Sequence, residues 1–412
     1  MAYITGKTRQ GCCMPVRYAN GVYECEPDVG EFFRYHRIFN DYHIFYAKIT
    51  GDIGETITVR LNWPKFDPEA VSDEYKAWSS YSAKWDSMML FLEDVLYFSS
   101  DEIHWKHIKN VTREENSLLF TLTLTEGVGY LCTPMRYSCT AYEALKNDLA
   151  KSELVQCIPL GQGWDGGVLE TFVVSDPTVA YADKKTIYLQ AVQHCHEHTG
   201  GHVLDAVLRF LTAGSDEARA LLRRYVFRIT PVVDVTGWRY GAEITPHRKG
   251  TVDSNPNRDW GVHAIPETRV LAAYLEDLAK AGERFAFFGD LHGGGGTADV
   301  TVSGPNGIFL SMDGTPEQVE ECRRFIRMVT CGMDCYMNPD QGLLPEWQSH
   351  EEPTKFTTYV KTRYGAPAYT FELAHQGMWD KAAGKRIPNT RERYRRFAEQ
   401  FLRVIDRYIT EK

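Results

Sequence analysis

Up to about residue 150 the apolar positions fall in short runs of strand length with the texture of an antiparallel β domain. Tyr42 to Thr50, Thr56 to Trp63 and Leu118 to Leu124 are rich in β-branched and aromatic residues and are separated by clusters of Gly, Asp, Asn and Pro. Such runs predict half-buried strands. The first stretch with helical period is Tyr142 to Leu149. From about Asp183 the pattern changes, and short apolar runs alternate with longer amphipathic segments. Strands are predicted at Thr186 to Val192, Tyr225 to Val233, Phe285 to Leu291, Gly307 to Ser311 and Ala368 to Leu373. Helices are expected over Val203 to Leu211 and Pro266 to Ala281, from the capping-box signature beginning at Thr315, and from Asn389 or Thr390 to about Ile409. The pattern as a whole predicts an α/β protein: a mixed, largely parallel sheet flanked by helices, preceded by a smaller antiparallel β-sandwich. The corresponding division is an N-terminal β domain over 1–150 and a second domain over 151–412.

Composition narrows the function. The chain has 412 residues, 46 Lys plus Arg against 55 Asp plus Glu, and a formal charge of −9. That balance repels a phosphate backbone or an anionic membrane, so neither nucleic acid nor membrane is expected as a partner. No apolar stretch reaches the roughly 18 residues of a membrane span, and the start lacks an apolar leader, so a cytoplasmic protein is expected. Ten scattered cysteines without paired C-x-x-C knuckles fit reduced thiols. Cys331 and Cys335 are expected to be two buried thiols on one helix face.

Candidate chemistry gathers after predicted strands. His194-Cys195-His196-Glu197-His198 follows the strand at Thr186 to Val192. A turn at a strand's C-terminal end can bring His194 and Glu197, three apart, onto one small cation; alone, H-x-x-E reads equally well as a histidine-rich surface turn. Asp290-Leu291-His292-Gly293-Gly294 closes another apolar strand, so His292 can reach the same edge. The alternative, a phosphate-cradling glycine loop, lacks its Lys-Ser or Lys-Thr. Between them, Arg248, Asn257 and Arg258 lie in a polar, turn-rich stretch suited to binding a carboxylate in two-pronged fashion, or simply to solvation. Glu372 is a lone carboxylate in the otherwise apolar run Ala368 to Leu373, a costly placement unless it is paired or functional.

The order H-x-x-E, an arginine ten residues before N-R-x-W, then D-L-H-G-G and T-F-E-L resembles the zinc metallocarboxypeptidases over roughly residues 183–410. Met135-Arg136-Tyr137-Ser138-Cys139-Thr140-Ala141-Tyr142 is similar to the end of the β domain that precedes the catalytic domain in the cytosolic branch of that family. The resemblance implies zinc held by His194, Glu197 and His292, with Glu372 as general base. Arg248 would stabilise the oxyanion, and Asn257 and Arg258 would hold the free α-carboxylate of a peptide or protein C-terminus. The expected activity is hydrolysis of a C-terminal peptide or isopeptide bond. A zinc deacylase or amidohydrolase acting on N-acyl amino acids shares several of these motifs and is the alternative. Relatives of the cytosolic branch carry an aspartate where this chain has Asn255. Tyr359 and Tyr364 lie closer to Glu372 than the substrate-capping tyrosine of pancreatic-type relatives. Asp290 is a candidate to orient a zinc-bound histidine, Lys361 and Arg363 to meet an acidic substrate side chain, and Trp238, Trp260 and Trp347 to fill core.

Overall fold

In a computed structural model of the chain, the structure describes residues 2–5, 13–27, 45–62, 96–115, 117–133, 135–195, 197–240, 255–293, 307–308, 310–311, 315–336, 348–349, 353–375 and 377–411. The N-terminal region holds two five-stranded sheets. Thr56–Asn62 shows why they stack: Ile57, Val59 and Leu61 are buried while the residues between them are not. These side chains meet Phe45, Ala47, Ile49 and Leu131 of the other sheet in one apolar cluster. Among the described residues of these two sheets, strand pairing is antiparallel except between Val22–Pro27 and Thr56–Asn62. The opposite face of the sheet containing Phe45–Thr50 is also covered. Tyr46, Tyr97 and Cys132 belong to the larger core cluster that fills the rest of the molecule.

That larger core surrounds a seven-stranded sheet: β1 (Val155–Gln162), β2 (Val168–Val174), β3 (Lys185–Ala191), β4 (Tyr225–Thr230), β5 (Phe285–His292), β6 (Gly307–Ile308) and β7 (Ala368–Glu372). The spatial order is β1, β2, β4, β3, β5, β7, β6. The four central strands run parallel, whereas the β1–β2 hairpin and β6 add antiparallel edges. Central strands buried on both faces read as continuous apolar runs, which is how the sequence announces them. Among the described residues the helices are α1 (Cys139–Leu149), α2 (His198–Thr212), α3 (Asp216–Arg224), α4 (Val235–Tyr240), α5 (Pro266–Lys280), α6 (Pro316–Gly332), α7 (Phe356–Tyr364) and α8 (Arg391–Thr410). Thr315 forms the expected capping box with Gln318, and Thr390, rather than Asn389, caps α8.

Several expectations are corrected. The sheet begins with the hairpin at Val155, well before Asp183. The segment Gly307 to Ser311 divides between two sheets, β6 and the short strand Leu310–Ser311. Cys331 is exposed near the end of α6, and buried Cys335 lies beyond it, so the two do not share a helix face. Among the described residues, no helix is long and apolar enough to cross a membrane.

Candidate metal centre

The parallel core places the C-terminal ends of β3, β5 and β7 side by side. His292 is the last residue of β5 and stands in register with Glu372, the last of β7. Beyond β3 the backbone turns sharply. Val192 adopts φ 54°, a left-handed conformation that costs a β-branched residue roughly 1–3 kcal/mol. The turn is clamped from β4's side, since the Ala191 carbonyl accepts from Val233 N–H at 3.0 Å and the Val192 carbonyl from Asp234 N–H at 2.8 Å. The chain is thereby redirected so that His194 and Glu197, joined by a backbone bond of 3.0 Å, close over the end of β5. Glu197 is the N-cap of α2. Close approach of that helix needs Gly200, where an added Cβ would lie 2.4 Å from the Leu291 carbonyl oxygen. It also needs Gly293, where a Cβ would meet Glu197 Cα at 2.8 Å.

Three donors converge. His194 Nδ1 lies 2.9 Å from Glu197 Oε1, His292 Nδ1 lies 2.7 Å from Glu197 Oε2, and the two Nδ1 atoms are 3.2 Å apart. His194, Glu197 and His292 each present one ligand atom, all within 4.8 Å of one another. Donors about 2.0–2.1 Å from a tetrahedral zinc lie roughly 3.3 Å apart, so accommodating the ion needs shifts of roughly half an ångström or less per side chain. The chemistry of the set, two imidazoles and a carboxylate, suits zinc.

Electrostatics agree. Burial opposes the charge of Glu197, yet His194 and His292 outweigh it and hold the carboxyl well below its ordinary range. Burial likewise works against protonated His292, but Asp290 and Glu197 raise it well above the usual imidazole value. The pocket is built for positive charge, and a cation there takes the place of imidazole protons. Glu372 goes the other way: burial first, then the charge of Glu197, push it up to about 7.

Both imidazoles are braced. His292 Nε2 meets Asp290 Oδ2 at 2.8 Å, as the D-L-H pattern suggested, and His194 Nε2 meets Asn255 Oδ1 at 3.0 Å. Asp290 is fully buried and also accepts from Gln190 Nε2 at 3.2 Å and Gln193 Nε2 at 2.6 Å. Asn257 sits in the short turn Pro256–Arg258, with its Oδ1 accepting from Phe356 N–H at 3.0 Å. This fixes the amide orientation and turns Nδ2 toward His292, 3.3 Å from Nε2. Because His292 Nε2–H is directed at Asp290, the Asn257 amide keeps donor capacity on this side of the pocket. Arg258 follows it and bonds the Asn257 carbonyl at 2.9 Å.

Of the other candidates, Arg248, His196 and Trp347 lie outside the described residues. Tyr359 packs on Trp260 and His263, and Tyr364 stacks on Phe288, so both rings serve packing. Arg363 is paired with Glu276 at 2.8 Å. Trp238 and Trp260 are buried, as expected of core residues. Trp260 does more, donating its indole N–H to Gln193 Oε1 at 2.8 Å. Gln190 and Gln193 were not singled out in the sequence; the only signal was two amides at the end of an apolar strand.

Residues 141–302 match the model of the Peptidase_M14 family, described as zinc carboxypeptidase. The matched stretch is similar to a zinc carboxypeptidase domain, and the cofactor of that family is zinc. Among solved structures, a metallo-carboxypeptidase from Burkholderia cenocepacia is 17% identical with a TM-score of 0.70, covering 100% of both chains. A metallo-carboxypeptidase from Pseudomonas aeruginosa, in complex with (2-guanidinoethylmercapto)succinic acid, is 16% identical with a TM-score of 0.66, covering 98% of this chain and 100% of that one. At these identities the likeness is one of fold. No curated protein sequence matches the chain.

Proposed function

We propose, on the premise that residues 141–302 are similar to a zinc carboxypeptidase domain, that the protein removes C-terminal residues by hydrolysing the last peptide or isopeptide bond of its substrate. In this reading 1–150 is the β domain and 151–412 the catalytic domain. The observation that carries it is the convergence of His194 Nδ1, His292 Nδ1 and the Glu197 carboxylate, with Glu372 in register on the neighbouring strand. His194, Glu197 and His292 hold the metal. Zinc, when bound, lowers the pKa of a water toward about 7 and polarises a carbonyl.

Glu372 acts as the general base; burial and the charge of Glu197 push it up to about 7, and a cation held at the cluster would favour its ionised form. It takes the proton of the attacking water and returns it to the leaving amine. Arg248 stabilises the developing oxyanion, and its loss should cost roughly 10²–10³ in rate. The Asn257 amide and Arg258 receive the substrate's free carboxylate, for which a guanidinium offers paired donors. The succinic acid ligand of the Pseudomonas protein also carries carboxylates, which suits this substrate class.

A C-terminal peptide library, incubated with the zinc-loaded chain and followed by mass spectrometry, tests the reading. Loss of single C-terminal residues, abolished by a chelator and restored by zinc, is the expected result. Cleavage confined to N-acyl amino acids would overturn it in favour of a deacylase.

A further inference from the structure

We propose that Gln193 is a positioning residue that ties the turn carrying Asn257 and Arg258 to the ligand His292, through the path Trp260, Gln193, Asp290, His292. The proposal rests on the metal-binding reading given above. An indole N–H donates and cannot accept, so the bond from Trp260 Nε1 at 2.8 Å fixes Gln193 Oε1 on that side. The Gln193 Nε2 is thereby aimed at Asp290 Oδ2, which it reaches at 2.6 Å. Gln190 supplies a second amide to Oδ1 at 3.2 Å. The remaining contact to this carboxylate, 2.8 Å from His292 Nε2, then commits the ring proton to Nε2. A cation held where Glu197 and His194 meet would then be met by the Nδ1 lone pair.

Gln193, Asp290 and Trp260 are all fully buried, where an apolar side chain of similar size would avoid the cost of burying an amide. Two amides and an indole spend their polar atoms around one carboxylate, whose other contact is a metal ligand. Trp260 follows Arg258 by two residues, so the backbone that presents the carboxylate-binding groups also presents the first donor of the path.

Zinc affinity, measured by competition with a chromogenic chelator, tests the path in Gln193→Met, Trp260→Phe and the double variant, with thermal midpoints of the zinc-free proteins recorded alongside. Gln193→Met is expected to weaken zinc binding roughly 10–100-fold. Trp260→Phe, which frees the amide to flip, should weaken it less, and the double variant should be no weaker than Gln193→Met within about twofold, because both act on one path. Zinc affinity within twofold of the wild type in a folded Gln193→Met protein would overturn the proposal. So would single-variant effects that multiply in the double. If Gln193→Met does not fold, an unchanged affinity in Trp260→Phe is the overturning result. His292→Ala separates the two levels: zinc retained there removes the metal-binding reading itself, whereas zinc lost there with Gln193→Met unaffected removes only the path.

Discussion

His292 and His202 are both buried imidazoles, 2% and 8% exposed, yet their surroundings drive them in opposite directions. His202 lies on α2, stacked on Tyr394 with centroids 5.1 Å apart and edge-on to Tyr137 at the same distance. Burial, and secondarily the charge of Arg391, pushes it down to about 3. His292 suffers the same burial, but Asp290 and Glu197 more than offset it. The desolvation penalty is common to both pockets and the carboxylates belong to one. What opposes burial sets the two apart: the His194, Glu197 and His292 cluster holds negative charge around its imidazoles, whereas the aromatic pocket keeps His202 neutral and serves packing.

Breaking the contrast at its strongest point should have the largest effect. His292→Ala should take bound zinc from one ion per chain to none by metal analysis, while His202→Phe leaves the stoichiometry at one. Removing the carboxylate that distinguishes the pockets, in Asp290→Asn, should weaken zinc roughly 10–100-fold in a chelator competition.

The aromatic pocket is tested by pH. The folded-state value of His202 is depressed, so its contribution to stability is complete above the unfolded value near 6.5 and is lost as pH falls toward about 3. Between pH 7 and pH 5 this amounts to about 2 kcal/mol, at 1.36 kcal/mol per unit. Between the two pH values the wild type's urea-derived stability should change by that much more toward instability than that of His202→Phe. An equal pH dependence in both proteins would remove His202 from the account. The smallest effect concerns His194, which leans on the neutral amide of Asn255 where His292 leans on a carboxylate. Asn255→Asp should tighten zinc by less than about tenfold, and weaker binding would show that the amide is needed in its present form.

The sequence exposes what is local and hides what is lateral. Apolar runs located β3, β4, β5 and β7 to within a few residues, because a strand buried on both faces leaves a continuous signature. The edge hairpin β1–β2 escaped notice because β1 has no buried residue and little alternation. His194, Glu197 and His292 were legible from their positions after strands, and Asp290 from its place beside His292. Gln193 was not: its role depends on Trp260, 67 residues away, and on Asp290, 97 away. The turn at Val192 is equally silent, since nothing in the composition of an apolar strand end announces a left-handed residue.

The most direct test of the central claim is a paired measurement of zinc content and peptide turnover in Glu372→Gln. One zinc per chain with turnover reduced at least about 10³-fold is the expected result, because the metal ligands remain while the base is lost. Turnover near the wild-type rate with zinc in place would contradict the account.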